Sequence, residues 1–299
     1  MNKTLITLSG PTASNKTSIA IRIAKVLGIE IFSCDSRQFY EEMTIGTAVP
    51  TAAERKEVPH HFIQHKSIHT PYSVGQFESD AIDKLSDYFK HNDIAILVGG
   101  SGLYMHSVVH GIDQFPTVPE EIRLSLGKRL QTNGLEDLQK ELQTLDPKYF
   151  IKMDIKNPSR VLRALGVCLA AGKPYSSYLN KKKPPRPFVV HPLSVDIPRT
   201  QIYDRINNRV DQMISAGLLL EAERLYPHRE LNALQTVGYK ELFDFFDENI
   251  DIDQAIAQIK QNTRNYAKRQ MTWIQRKEPD AQKISYACSD EKLMSVLPN

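Results

Sequence analysis

At 299 residues, 41% hydrophobic and 24% charged, the chain has room for one large or two ordinary domains and the balance of a soluble globular protein. No apolar run approaches the ~18 residues a membrane span needs, and Cys34, Cys168 and Cys288 lie far apart without C-x-x-C spacing, which argues against a disulfide framework or a cysteine zinc site. Net charge is only +3, but residues 119–187 hold 14 Lys/Arg against 7 Asp/Glu, so this segment is basic on an otherwise mildly acidic chain: a polyanion-binding surface, or a solvated helical face.

The first residues run directly into a strand pattern and show no signal-peptide regions, so a cytosolic protein is expected. "TLITLS" (4–9), β-branched and closed by Gly10-Pro11, reads as a buried parallel strand. "GPTASNKT" follows, and then a helix over 16–27 with apolar residues at Ile19, Ile23, Val26 and Leu27. This is the order of a phosphate-binding loop: Gly10, Pro11, Thr12, Ala13, Ser14, Asn15, Lys16 and Thr17, with converging backbone amides, a helix N-terminus, a lysine, and a hydroxyl to face a metal ion. Asn15 stands where such loops carry their last glycine, so its side chain threatens to crowd the loop. Asn tolerates left-handed backbone better than most residues, so the loop is expected to survive. A plain strand-to-helix turn is the alternative.

"IEIFSC" (29–34) is a second strand and delivers Asp35 at its end. A carboxylate there suits a general base beside the phosphate loop, or a cap on the following turn. "HHFIQH" (60–65) reads as a short third strand, 75–90 as a helix, and "DIAILVGG" (93–100) as a buried strand. That last strand ends in "GGSGLY", without the carboxylate that P-loop nucleoside triphosphatases use for Mg²⁺. His60, His61 and His65 lack a carboxylate or cysteine at ligand spacing, so packing and hydrogen-bond roles are preferred over a metal site.

From about 114 to 187 the pattern turns helical, with segments opened by Pro119, over 135–145 and over 157–172, the last with Asn157 as N-cap, Pro158 in the first turn and Gly172 past the end. "KKKPPRP" (181–187) then looks like an extended linker. "FVVHPLSVDI" (188–197) is a further strand, and helices run from 199 through Trp273. The expected architecture is an α/β core, a parallel sheet with helices on both faces formed by 1–113 and 188–299 and bearing the P-loop, carrying a helical insertion at 114–187. Residues 255–277 contain no acidic residue; Lys260, Arg264 and Lys268 share a stripe, while Ile256, Ile259, Tyr266 and Ile274 lie at core spacing. The stripe reads as phosphate-facing or simply solvated.

In their order, "GPTAS-KT", "DSRQFY", "GTAVP", "VPHHFI", "LVGGSGLY", "NPSRVLRAL", "TVGYKE" and "TRNYAKRQMTW" make the chain resemble the bacterial tRNA dimethylallyltransferases over nearly its whole length. The resemblance implies a P-loop nucleotide-kinase-like core fold, and transfer of a dimethylallyl group from dimethylallyl diphosphate to N6 of the adenosine 3′ of the anticodon, in tRNAs reading codons that begin with U. It implies Mg²⁺ as cofactor, the anticodon stem-loop of tRNA as partner, and a monomer. On this chain it implies that Lys16 and Thr17 hold the diphosphate, Thr17 also facing Mg²⁺, and that backbone from Thr12 to Lys16 donates N–H groups. It makes Asp35 the acceptor of the N6 proton, with Ser36, Arg37 and Gln38 on the adenosine and its neighbours. Ser101, where the family usually has threonine, would bond the bridging oxygen, and Arg209 would neutralise leaving pyrophosphate. Arg123, Ser159, Arg160, Val161, Leu162 and Arg163 in the insertion, and Gln235, Thr236, Val237, Gly238, Tyr239 and Lys240, would touch tRNA. Phe39 and Tyr40 are placed to stack on a base or to fill the core. Gln64 replaces the family's usual acidic residue.

Negative charge grows on a departing diphosphate, so lysine, arginine, Mg²⁺ and loop amides suit that end of such a reaction. An exocyclic amine is a weak nucleophile that gains from a base, and its adenosine must leave the stack to be reached. The rivals are a small-molecule kinase, a prenyltransferase acting on free AMP, and a tRNA-binding module with a decayed loop.

Overall fold

The apolar run Thr4–Ser9 forms β1 inside a six-stranded parallel sheet in the computed structural model, which describes residues 3–298. With β2 (Ile31–Ser33), β3 (His60–His61), β4 (Ile94–Gly99), β5 (Val189–Asp196) and β6 (Gln282–Ser285), the strand order is β3-β2-β4-β1-β5-β6. Alternation along β1 sends Leu5 into one apolar cluster and Ile6 and Leu8 into another, so both sheet faces are covered. The expected strand at 60–65 stops after two residues because Phe62 and Gln64 take positive φ, +62° and +47°, which an extended ladder does not admit. β6, short and polar in sequence, was not anticipated.

Around the sheet lie α1 (Lys16–Leu27), α2 (Ala52–Glu57), α3 (Val74–Tyr88) and α4 (Gly102–His110). Contacts divide the chain into two units, one running to His110 and resuming at Arg186, the other Gly111–Pro185. The second unit holds α5 (Glu120–Leu145), interrupted at Gly134 where φ is +78°, then α6 (Pro147–Phe150) and α7 (Pro158–Ala171). The Asn157 side chain accepts the Arg160 N–H to start α7, and Gly172, at φ +62°, ends it. Leu126, Leu138, Leu142, Val161, Ala164 and Leu165 form this unit's core. Val161, expected on a tRNA-facing surface, is therefore buried, and Leu162 packs partly against the same core. Ser159, Arg160, Arg163 and Arg123 are exposed, with the Arg163 guanidinium 5.2 Å from the Phe115 ring centroid.

The first unit resumes with β5 and continues through α8 (Arg199–Ser215), α9 (Leu218–Leu225), α10 (Tyr239–Phe246), the long α11 (Ile252–Lys277) and, after β6, α12 (Asp290–Met294). A capping box, Asp251 with Gln254, starts α11. Among the described residues no helix is long and apolar enough to cross a membrane.

Candidate active site

Parallel strands deliver their loops to one edge of a sheet. Here the loops after β1, β2 and β4 open onto a cavity of about 640 Å³, walled on the far side by α8, α11 and the Gln235–Gly238 loop. Thr12, Lys16, Thr17, Asp35, Ser36, Arg37, Gln38 and Arg209 line it, as do Gln235, Thr236, Val237, Gly238 and Lys240.

The phosphate loop forms. Asn15 occupies the N-cap of α1 in left-handed backbone, φ +72° and ψ +18°, and Ala13 is also left-handed at φ +61°. The Asn15 amide turns toward the Tyr286 carbonyl at 3.4 Å, so it braces the loop from outside. Lys16 Nζ donates to the Pro11 carbonyl at 2.6 Å. Arg205, absent from the sequence reading, donates to the Ala13 carbonyl at 2.7 Å, and Arg209 reaches Thr12 Oγ1 at 3.5 Å. Burial pulls the Lys16 ammonium down to about 8 against the opposing pull of Asp35, with Arg209 adding to the lowering. Burial likewise lowers Arg209, again opposed by Asp35. One expected donor is corrected: the Thr12 N–H is already given to Gln270 Oε1 at 2.8 Å.

Asp35 follows β2, whose end is tied to β4 by the Cys34 N–H on the Val98 carbonyl at 2.8 Å. One carboxylate oxygen of Asp35 accepts the Arg37 N–H at 3.1 Å, so the turn-capping role is present while the side chain lines the cavity. Ser101 Oγ accepts the Ser36 N–H at 3.1 Å and lies 3.0 Å from Ser36 Oγ. Tyr266 also bonds Ser101, with burial and nearby Asp35 pushing its phenol up to about 12; it lines the cavity rather than the core its spacing predicted.

The opposite wall is shaped by two buried carboxylates. Glu221 on α9 accepts the N–H groups of Thr44, Ile45 and Gly46 at 2.8–3.1 Å and the Tyr239 hydroxyl at 2.7 Å. Glu241 on α10 accepts the Gly238 N–H and the Asn262 amide, both at 2.7 Å. Tyr239, expected to touch tRNA, is thus completely buried, while its neighbours on both sides line the cavity. Gln38 spends its amide nitrogen on the Thr47 and Ala48 carbonyls, at 3.1 and 2.9 Å, leaving Oε1 as an acceptor. The Arg37 guanidinium donates to the Asn232 and Ala233 carbonyls at 2.9 Å, pinning that loop in place. Phe39 and Tyr40 are buried core residues.

The C-terminal stripe is largely engaged by the protein itself: Lys260 pairs with Asp211 at 2.6 Å and Arg264 bonds Asn207 at 2.6 Å, both on α8. Trp273 packs against Gly102, where a Cβ would collide with its ring. Of the histidines, His61 bonds Glu30 and stacks near Phe32, His60 bonds the Val58 carbonyl, and His65 sits among Phe39, Phe62 and Tyr72. Gln64 bonds the Glu41 carbonyl and Thr44 Oγ1.

Comparison with known proteins agrees in three ways. The sequence profile of the IPP transferase family matches residues 38–277. A tRNA dimethylallyltransferase of Christiangramia forsetii is 53% identical over 94% of this chain and 92% of its own, and one of Flavobacterium psychrophilum is 49% identical over 98% and 97%. The crystal structure of the full-length tRNA isopentenylpyrophosphate transferase from Bacillus halodurans superposes with a TM-score of 0.72 at 34% identity, covering 99% of this chain and 94% of that one. A eukaryotic dimethylallyltransferase acting on tRNA, at 24% identity and a TM-score of 0.79, has the same fold.

Proposed function

The chain belongs to the IPP transferase family, and from that premise we propose that it transfers the dimethylallyl group of dimethylallyl diphosphate to N6 of the adenosine 3′-adjacent to the anticodon in tRNAs reading codons that start with U. The observation carrying this reading is the shared cavity: half-buried Lys16 and Arg209 meet the carboxylate of Asp35 there, with no second carboxylate at the end of β4 to position a phosphoryl-transfer metal or water.

The N6 nitrogen attacks C1 of the allyl group, the C1–O bond breaks, and its electron pair leaves on the diphosphate. Lys16 and Arg209 stabilise that growing charge in a water-poor site. Asp35 takes the N6 proton. Ser101, whose hydroxyl accepts from the Ser36 N–H and shares a further bond with Ser36 Oγ, would turn its own proton to the bridging oxygen. Among the described residues no three His, Cys, Asp or Glu cluster as a metal site. Thr17, next to Lys16 on the cavity wall, offers an oxygen donor of the kind magnesium favours and would hold such an ion with the diphosphate. When bound, it would further neutralise the leaving diphosphate. Exposed Arg123, Ser159, Arg160 and Arg163 suit phosphate contacts to the anticodon stem-loop, whose affinity should then fall steeply with salt.

One assay decides. Purified protein with Mg²⁺ receives labelled dimethylallyl diphosphate or ATP, and tRNA or AMP as acceptor. Prenylated tRNA is the expected sole product; prenylated AMP or a phosphorylated product would replace this reading with one of its rivals.

A further inference from the structure

The sheet's hydrogen-bond ladder between β1 and β4 ends at Ser9 and Gly99. Beyond it the two strands release the loops that carry Lys16 and Ser101. One side chain from 258 positions away in sequence joins those loops again. Gln270, on α11 and only 7% exposed, accepts the Thr12 N–H at 2.8 Å and donates to the Gly100 carbonyl at 2.9 Å. Both ends of the amide are used, which fixes which way it points. A Cβ on Gly100 would collide with Gln270 Nε2, so this glycine admits the amide by close approach. Next to Gly100, Ser101 bonds Ser36, which adjoins Asp35. A continuous chain of bonds thus runs from the loop of Lys16 through Gln270 and Ser101 to the base-bearing loop.

We propose that Gln270 is a positioning residue that sets the separation between the leaving-group loop and the loop carrying Asp35. This rests on the functional reading above. The amide does this as no close relative can. Methionine matches its length but offers neither donor nor acceptor. Ionised glutamate keeps the acceptor for Thr12 but sets a carboxylate oxygen against the Gly100 carbonyl. Asparagine is one methylene short of spanning both loops. Each change leaves at least one half-buried backbone group without its protein partner, and a misplacement of about 1 Å between reacting groups costs up to about 100-fold in rate.

The test is a double-mutant cycle read in single turnover with saturating donor and tRNA. Gln270→Met is expected to lower the rate about 10- to 100-fold while tRNA affinity, set by other loops, stays within about twofold. In an Asp35→Asn background the same substitution is expected to cost less than about threefold, because separation from a base matters only when the base is there. A merely structural role, such as a smaller folded fraction, would cost the same factor in both backgrounds. Equal factors, or a Gln270→Met rate within about twofold of wild type, overturn the proposal. If Gln270→Met does not fold, Gln270→Glu, which keeps size and polarity, carries the same cycle with the same criteria. Wild-type turnover tests the functional reading by itself, so failure of that reading is distinguishable from failure of this one.

Discussion

The two ends of the cavity handle charge in opposite ways. At the phosphate end, cations are half-buried and line the cavity: Lys16 and Arg209 are partly desolvated beside Asp35. At the opposite end the buried charges are carboxylates, and the protein consumes them itself. Glu221 and Glu241 are saturated by backbone N–H groups, a tyrosine hydroxyl and an asparagine amide, and they act by holding loops 44–46 and 235–240 in shape. The first arrangement suits an anion whose charge grows during reaction, because fixed cations in a low-dielectric site need no reorganisation. The second suits a flat, nearly neutral heterocycle, recognised by backbone shape and by acceptors such as Gln38 Oε1.

Asp35 lies where the two ends meet, and its loss is the largest expected effect. Asp35→Asn retains the cap on the Arg37 N–H yet removes the proton acceptor, so turnover should drop about 10²–10⁴-fold with tRNA binding nearly intact. Single-turnover rates alongside tRNA affinity check this; near-normal turnover would dismiss Asp35 as the base and leave only its turn.

The phosphate end should next betray itself in pH dependence. Lys16, held at about 8 by burial, is faced by Asp35, Arg209 and Cys34. An ammonium attracts a diphosphate and a neutral amine does not. As pH rises through about 8 the free protein loses that charge, so kcat/KM for the donor should fall, by about tenfold per pH unit well above that point. The sign follows from the proton leaving on the alkaline side; well below about 8 the contribution is fully present. Lys16→Arg, permanently charged, should flatten the profile. An unchanged alkaline limb in that variant would assign the titration to another group.

At the opposite end, Glu221→Gln keeps the shape but weakens bonds from three amides and a hydroxyl. Charged hydrogen bonds of this kind contribute about 1.5–3 kcal/mol, so urea unfolding should show a loss of about that size. The KM for tRNA should rise about tenfold, equivalent to ~1.4 kcal/mol, while the donor KM stays put. A matching rise in donor KM would mean the two ends are not independent.

The phosphate end was the more legible in sequence, for a physical reason. Its amides, Lys16 and Thr17 are contiguous, and a strand followed by Gly10-Pro11 and a helix constrains them before any tertiary packing. Asp35 was readable as a strand-end carboxylate. Gln270 and Arg205 were not, because they reach the same loop from 258 and 192 positions away, and only packing of α8 and α11 brings them there. The misplaced tRNA contacts have a simpler cause. Val161 shares a face with Ala164, Leu165 and Cys168, a helical period that points it into its unit's core. Tyr239 was carried along with a motif whose other members line the cavity; its burial reflects Glu221, a partner that local sequence does not announce. Tyr266 erred the other way, since an aromatic residue at core spacing also suits a cavity wall.

Asn15 gives the smallest expected effect and the sharpest statement about how the phosphate end is built. Its left-handed backbone costs an ordinary side chain roughly 1–2 kcal/mol, and asparagine less, since its amide finds the Tyr286 carbonyl at 3.4 Å. Asn15→Gly removes the strain but also that long bond, and adds chain entropy to the unfolded state worth ~0.5–1 kcal/mol. These terms nearly cancel. The donor KM should therefore stay within about threefold of wild type, with any change toward tighter binding. A collapse in donor affinity would mean that the loop's amides converge only because Tyr286, just after β6, holds Asn15 from behind, and the phosphate end would then depend on distant packing as fully as the opposite end does.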